Sequence, residues 1–315
     1  MCMSMKPIVP FEPVRSTEIP QGGNWVHQIK WDGVRIVAYF DGKAVRLFNR
    51  QKNERTQQYP ELVEPTYCGA KSFILDGEVI ALAADGKPSF HEVMRRDGIR
   101  VTARVPQAMR NVSVAYMVFD ILFYNGEWVN QLPLHERQQL LASVIIPGEY
   151  VQPVASHKDG GALFEVIRGQ SMEGIVSKEL DSSYPLEGKD GRWVKVKNYG
   201  DIIAVIGGFR MGDGVVGSVL AGLYQEGRLL FIGKVGTGKL TSSDWRELTA
   251  MLTAIEIPEC PFANRSEEFK GARWVKPLIT VKIQYSEWRR SEGRTMRQPS
   301  IQAFVDKPPE ECVFE

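Results

Sequence analysis

A lysine, a carboxylate, a glycine and an arginine stand close together in Lys30-Trp31-Asp32-Gly33-Val34-Arg35. A lysine amine attacks only when it is neutral, a state that burial or nearby cations favour. The set reads as a covalent nucleophile with Arg35 as its phosphate-binding companion. Taken alone, Lys-x-Asp-Gly reads better as a solvated lysine before a tight turn, because such quartets recur by chance. What decides between the two readings is the company it keeps further along the chain.

The elements that must hold Lys30 follow from the apolar pattern. Strands are expected over Trp25 to Lys30 and Val34 to Phe40, then an Asp41-Gly42 hairpin turn and a strand over Ala44 to Phe48. Lys30 would lie where a strand gives way to a turn, a rigid mount for a reactive group. Two short strands are expected to flank Asp76-Gly77, Ser72 to Leu75 and Val79 to Leu82. A helix is expected over Phe90 to Arg96, a buried strand over Ser113 to Phe119 ending at Asp120, and a helix from Leu132-Pro133-Leu134 to about Val144. Gly174 to Ser177 and Trp193 to Lys197 read as strands, and Met1 to Asn24 as an extended lead-in on the surface. The organisation changes at Asn198-Tyr199-Gly200. Beyond it come strands over Ile202 to Phe209, Ser218 to Tyr224, Arg228 to Lys234, Ala272 to Lys276 and Thr280 to Ser286, with one helix from about Asp244 to Leu252. Five strands and one helix suit a small barrel of the OB type.

With 315 residues, of which 43% are hydrophobic, two domains with filled cores are expected. The net charge of +1 gives no global basic field, so any nucleic-acid signal must be local. Cys2, Cys68, Cys260 and Cys312 form no close pair, which argues against a zinc site and a disulfide framework. The start lacks a signal-peptide pattern and no run is long and apolar enough for a membrane, so the expectation is a soluble, cytoplasmic protein, a monomer with no membrane partner.

Downstream of Lys30 stand Arg50, Asp76-Gly77-Glu78, Phe119-Asp120, Glu173-Gly174-Ile175-Val176-Ser177-Lys178 and Trp193-Val194-Lys195-Val196-Lys197. These elements, in this order, resemble the nucleotidyltransferase motifs of ATP-dependent DNA ligases, most of all the compact ligase domain of bacterial end-joining ligases. Six ordered motifs are far more specific than one. The likeness runs from Trp25 to the C-terminus and includes Leu132-Pro133-Leu134-His135-Glu136-Arg137. It implies an α+β fold: a nucleotidyltransferase (adenylation) domain of antiparallel sheets with flanking helices over residues 1–200, then a small β-barrel OB-fold domain that binds DNA over 201–315.

The resemblance makes Lys30 the acceptor of AMP from ATP, with Ile29 lining the nucleotide. Lys195 and Lys197 alternate with valines, so both ammonium groups share one strand face, suited to an α-phosphate; Lys178 would add another cation there. Glu173 and Glu78 offer the hard oxygens that Mg2+ (or Mn2+) takes, with Glu78 alternatively on the ribose. Arg35 and Arg50 offer planar forks to ribose or to a 5′-phosphate, although either suits a structural ion pair. Phe119 would stack on adenine, with a core phenylalanine as the rival reading. Asp32 and Asp120 would orient their neighbours.

Between Lys270 and Arg297, the cations Lys270, Arg273, Lys276, Lys282, Arg289, Arg290, Arg294 and Arg297 face only Glu287 and Glu292, with Trp274, Tyr285 and Trp288 interleaved. Such a stripe neutralises nucleic-acid phosphates, and nicked double-stranded DNA is the implied partner. In the family an Arg-x-Asp-Lys motif follows and orients pyrophosphate; here Asp306 and Lys307 are present but Phe304 stands where the arginine would be. Arg297 is one candidate substitute; the other reading is slower self-adenylation. The likeness further implies a hinge at Asn198 to Asp201 and a Ku-like end-binding protein as a partner. The alternatives are an RNA ligase, a capping-type nucleotidyltransferase and a non-catalytic nucleic-acid-binding protein.

Overall fold

The computed structural model describes residues 5–236, 238, 240–288, 290, 293 and 295–314. Two chain segments, Met1–Asn198 and Tyr199–Glu315, form separate compact units.

The first unit is built on two sheets. Its strands are β1 (Glu12–Ser16), β2 (Trp25–Ile29), β3 (Val34–Phe40), β4 (Val45–Asn49), β5 (Phe73–Ala81), β6 (Val114–Tyr124), β7 (Glu127–Trp128), β8 (Val151–Pro153), β9 (Gly174–Glu179) and β10 (Lys189–Lys197). Its helices are α1 (Phe90–Asp97), α2 (Val105–Asn111), α3 (Leu134–Val144) and α4 (Gly160–Gly169). One sheet runs β1-β10-β9-β2; the other runs β4-β3-β5-β6-β7, with β8 beside β6. Most pairings are antiparallel, but β1 lies parallel to β10 and β8 parallel to β6.

Several expectations change here. Asp76-Gly77 separates no strands: β5 runs straight through it. A side chain at Gly77 would meet the Tyr116 ring at 2.4 Å, so the glycine serves close packing between neighbouring strands rather than a turn. The strand expected to stop at Asp120 continues to Tyr124, and the register slips between its pairs Asp76↔Asp120 and Gly77↔Val118. Phe119 is therefore the extra residue of a bulge and not a strand end, a device that re-aims a side chain. The lead-in is not a surface strap either. Phe11 is fully buried, 5.4 Å from the Trp193 ring centroid, and β1 completes the first sheet. Helices α2 and α4 had no sequence reading; α4 is capped by Asp159, whose side chain accepts from the Ala162 amide at 2.9 Å.

The second unit carries β11 (Gly200–Met211), β12 (Val216–Gln225), β13 (Arg228–Val235), β14 (Glu256–Ile257), β15 (Arg273–Val275), β16 (Thr280–Tyr285) and β17 (Ser300–Val305), with helix α5 (Ser242–Ala254). One edge of β11 pairs first with β16 and then with β15, while its other edge pairs with β12. Thr241 and Asp244 form a capping box at the start of α5, and Trp245, Leu248 and Leu252 press its apolar face into the core. The sequence reading lacked β14 and β17; the latter carries the chain into Asp306-Lys307.

Candidate active site

Strand β2 ends at Ile29, and Lys30 follows with its amide donating to the Gly174 carbonyl at 2.9 Å. That bond sets the amine beside Glu173. Lys30 Nζ donates to Glu173 Oε2 at 2.6 Å, and Lys197 Nζ lies 3.0 Å from Glu173 Oε1. Lys30 and Lys197 thus share the carboxylate of Glu173, which stands 143 positions from Lys30 in sequence. Burial works against the Glu173 charge, but Lys30 and Lys197 outweigh it and hold the carboxyl below its ordinary range.

Two glycines make this approach possible. Gly174 sits at φ +143°, and a side chain there would lie 2.2 Å from the Val196 carbonyl. At Gly33 an added side chain would lie 2.2 Å from the Val79 carbonyl, so the turn after Lys30 can press onto β5.

On β10, Val194 and Val196 pack with Leu163, Ile167 and Ile175, leaving Lys195 and Lys197 on the opposite face, as the alternation predicts. Partial burial lowers the Lys195 pKa, and the ammonium groups of Lys30 and Lys189 lower it further. Burial pushes the Glu78 carboxyl up to about 8 against the pull of Lys30 and Arg35, with Glu173 and Asp32 adding to the rise. Lys30 is thus within electrostatic reach of Lys195, Glu173 and Glu78, Lys197 of Glu173 and Lys195, and Asp32 of Glu78. Among the described residues no group of three or more His, Cys, Asp or Glu side chains could hold a metal by itself. The hard carboxylate oxygens of Glu173 and Glu78 suit Mg2+ only with phosphate oxygens completing its shell.

A second cluster was only half visible in the sequence. Arg35 forms a two-pronged pair with Asp76, at 2.9 Å and 2.6 Å, and the Tyr184 hydroxyl donates to the same carboxylate at 2.6 Å. Burial opposes the Arg35 charge, but Asp76 outweighs it and keeps the guanidinium protonated. The fork offered to ribose or a 5′-phosphate is therefore already engaged. Asp120 is held in the same way by Arg137, at 2.8 Å and 3.0 Å, with both side chains fully buried. Nothing local marked Tyr184; Asp76 and Arg137 stood in motifs that carried the resemblance, without a role.

Lys178 differs from its expected place at the α-phosphate end. It is 2% exposed, and its Nζ lies 4.2 Å from the Phe119 ring centroid and 3.9 Å from that of Trp193, with no hydrogen-bond partner among the described residues. Burial brings its pKa down to about 7 against the pull of Asp120 and Asp76. Phe119 is half-buried, and the Arg35 guanidinium also lies over its ring, 5.3 Å from the centroid. Arg50 is mostly exposed and reaches Glu12 at 3.1 Å. Ile29 pairs with Ile175 across β2 and β9.

On the second unit the basic stripe is divided. Arg273 pairs with Glu256, Arg297 lies 3.8 Å from Glu287, Lys282 lies 3.1 Å from Asp201, and Lys276 is exposed. Lys282, Arg290 and Lys307 share the wall of one pocket. Arg289 and Arg294 lie outside the described residues.

A lysine–carboxylate–lysine core in a two-sheet unit, followed by a small β unit with one helix, defines a nucleotidyltransferase joined to an OB-fold domain. Residues 12–197 match the family model of the ATP dependent DNA ligase domain, and residues 212–306 that of the ATP dependent DNA ligase C terminal region. The chain belongs to the ATP-dependent DNA ligase family. It is 32% identical over 303 residues to the multifunctional non-homologous end joining protein LigD of Mycobacterium bovis, covering 94% of this chain and 38% of that protein. A DNA ligase of Thermococcus fumicolans is 28% identical over 319 residues, covering 95% of this chain and 55% of the relative. A solved structure of mycobacterial DNA ligase D complexed with ATP and MES superposes with a TM-score of 0.56 at 29% identity, covering 99% of this chain and 100% of that one. The chain thus spans well under two thirds of the length of either relative. Among the described residues no helix is long and apolar enough to cross a membrane.

Proposed function

We propose that this chain seals nicks in duplex DNA in three steps, with Lys30 as the covalent carrier of AMP. The observation that carries the reading is the shared carboxylate: Glu173 positions the Lys30 amine 2.6 Å from one oxygen and Lys197 3.0 Å from the other, in a chain of this family. In the first step Lys30 gives up a proton and attacks the α-phosphorus of ATP. An N–P bond forms, the bond to the β-phosphoryl oxygen breaks, and pyrophosphate leaves with the electron pair. Lys195 and Lys197 face the developing charge. In the second step the AMP passes to the 5′-phosphate at the nick. In the third the 3′-hydroxyl attacks that phosphate and AMP departs.

Mg2+ would be held by Glu173 and Glu78 together with substrate phosphates, and when bound it would neutralise charge on those phosphates. Phe119 would stack on the base, with Lys178 behind it, and Asp32 would orient the turn after Lys30. Exposed Lys276 would contact DNA phosphates along with the remaining cations of that region. The segment from Asn198 to Asp201, expected as a hinge between domains 1–200 and 201–315, would act at the Asn198–Tyr199 boundary of the two units. The name of the Mycobacterium bovis relative supports a place in end-joining repair; a cytoplasmic location and a Ku-like end-binding partner would go with such a role.

Incubation with labelled ATP and Mg2+ tests this. An acid-labile adduct that survives denaturation and disappears in Lys30→Ala is the expected result. Label preferring GTP would point to capping chemistry, and no adduct with either nucleotide would sink the enzymatic reading. Sealing of a nicked duplex, compared with RNA-containing nicks and with NAD in place of ATP, then identifies the polynucleotide and the cofactor.

A further inference from the structure

The chain from Gly98 to Phe119 contains no aspartate or glutamate, yet it carries Arg100, Arg104 and Arg110, all exposed. The charged pair just before it turns inward. Arg96 is fully buried, and its guanidinium donates to both oxygens of Glu61 at 2.8 Å and to the Val112 carbonyl at 2.9 Å. Asp97 is buried too, accepting from the Tyr59 hydroxyl at 3.0 Å and from Arg55 at 3.3 Å. These bonds fix the end of α1 and tie the chain after α2 to it. The loop between the helices is held by Gln58, whose side chain donates to the Ile99 carbonyl at 2.8 Å, and by the Thr102 hydroxyl, which donates to Gln57 at 2.7 Å. The outward arginines thus stand on an ordered base. Among the described residues, Arg100, Arg104 and Arg110 have no ion-pair partner.

This run lies across a sheet from the nucleotide site. Along β3, Ile36 and Ala38 face the core that Val93 of α1 enters, whereas Val37 and Tyr39 face the opposite cluster with Trp193 and Phe119. On β5, Leu75 and Val79 belong to the first core, and Asp76, which holds Arg35, alternates with them. We infer that the stretch from Arg100 to Arg110 is a second docking face for nucleic acid, whose three arginines neutralise phosphates of unbroken duplex DNA away from the nick. The inference rests on the proposed function only in taking DNA as the polyanion. Charges of one sign, open to solvent and spread along the chain, suit a backbone whose own charges are strung out in a line. Guanidinium forks grip phosphate oxygens without reading sequence. In the stretch from Met94 to Arg110 only Met94 and Val101 are exposed large apolar side chains, too few for the apolar centre that a protein partner would cover.

Fluorescence anisotropy of the full chain with intact duplex DNA, which offers Lys30 no nick, tests this over a salt series. Arg100→Ala/Arg104→Ala/Arg110→Ala is expected to weaken binding about tenfold or more at low salt. The slope of log affinity against log salt should become shallower by about 2 to 3, as for three lost phosphate contacts. Arg46→Ala/Arg168→Ala/Arg228→Ala removes the same charge from exposed arginines that already pair with carboxylates, and should change affinity and slope little. All six side chains are exposed, and circular dichroism checks that the fold is kept. Label transfer from ATP to Lys30 should be equal in the unaltered chain and the first variant; no adduct with the unaltered chain would count against the proposed function alone. Unchanged affinity and slope in the first variant overturn the inference. An equal loss in the second variant also overturns it, by making the effect one of net charge. A first variant that keeps its DNA affinity but loses affinity for polyglutamate would assign the run to an acidic protein instead.

Discussion

The first unit buries charge in pairs, and the second leaves its pairs at the surface. Arg137 and Asp120 are both fully buried, and Arg96 is fully buried against Glu61. In the second unit Lys282 and Asp201 are each 44% exposed, and Arg273 and Glu256 sit at 44% and 29%. The apolar residues of the second unit form a continuous core drawn from Ala204 to Cys312. Buried ion pairs are seldom the most stabilising use of an interior, since desolvation opposes their attraction. Their value in the first unit is position: Arg35 with Asp76, and Arg137 with Asp120, fix strands β5 and β6 beside Phe119 and Lys178. The second unit leaves its cations in water, where they can meet a polyanion.

Replacing the central lysine gives the largest effect and tests whether the buried charges serve chemistry. Lys30→Arg keeps the positive charge beside Glu173, yet a guanidinium does not deprotonate, so the labelled adduct should vanish as completely as in Lys30→Ala. An adduct persisting in Lys30→Arg would place the nucleophile elsewhere.

Arg137→Ala is expected to cost about 3–5 kcal/mol, because it leaves the buried Asp120 carboxylate without its partner. Urea denaturation measures it, and a loss below ~1 kcal/mol would remove the contrast between the units. Gly174→Ala is expected to cost about 1–3 kcal/mol, as the added methyl meets the Val196 carbonyl in a backbone region glycine favours. Adduct formation should fall with it, since the same residue orients Glu173.

A smaller effect depends on pH. His27 sits three residues before Lys30, 3% exposed and 2.8 Å from the Ser177 hydroxyl. Burial lowers its pKa below the usual 6.5; Asp159 opposes this and His157 adds to it. The unfolded chain therefore binds a proton more readily than the folded one. Stability from this site is complete above the unfolded value and is lost as pH falls through the folded one. Melting temperatures from pH 7.5 down to 5 should decline less steeply in His27→Gln; identical slopes would clear His27 of the effect.

The smallest change belongs to the second unit. Lys282→Ala should alter stability by ~1 kcal/mol or less, as exposed pairs do, whatever it does to anion binding. A loss as large as that of Arg137→Ala would show that the two units treat their ion pairs alike.

Much of the nucleotide side of the site could be read directly. The alternation at Val194-Lys195-Val196-Lys197 put both ammonium groups on one strand face, and Lys30 stands at the strand end expected for it. The hairpin over β3 and β4 was equally plain, since Asp41 accepts from the Lys43 and Ala44 amides within the turn. These signals are local, each contained in a few residues. Asp76-Gly77 misled for the same reason: a pair that usually marks a turn lies within a buried strand, where Tyr116 takes the space beside Gly77.

By itself, then, the sequence determined which residue types recur in which order, and with them the family and the two lysines that share one strand face. Only the tertiary structure decided that Glu173 is shared by Lys30 and Lys197, that Arg35 is taken by Asp76, that Lys178 lies beneath two rings, and that Lys282, Arg290 and Lys307 meet. Periodicity and turn chemistry act between near neighbours and so can be read along a chain. Partners such as Arg35 and Asp76, 41 residues apart, or Lys30 and Glu173, 143 apart, are chosen by strand register and by the cost of leaving a charge unpaired once folding removes it from water, and no stretch of sequence contains that choice.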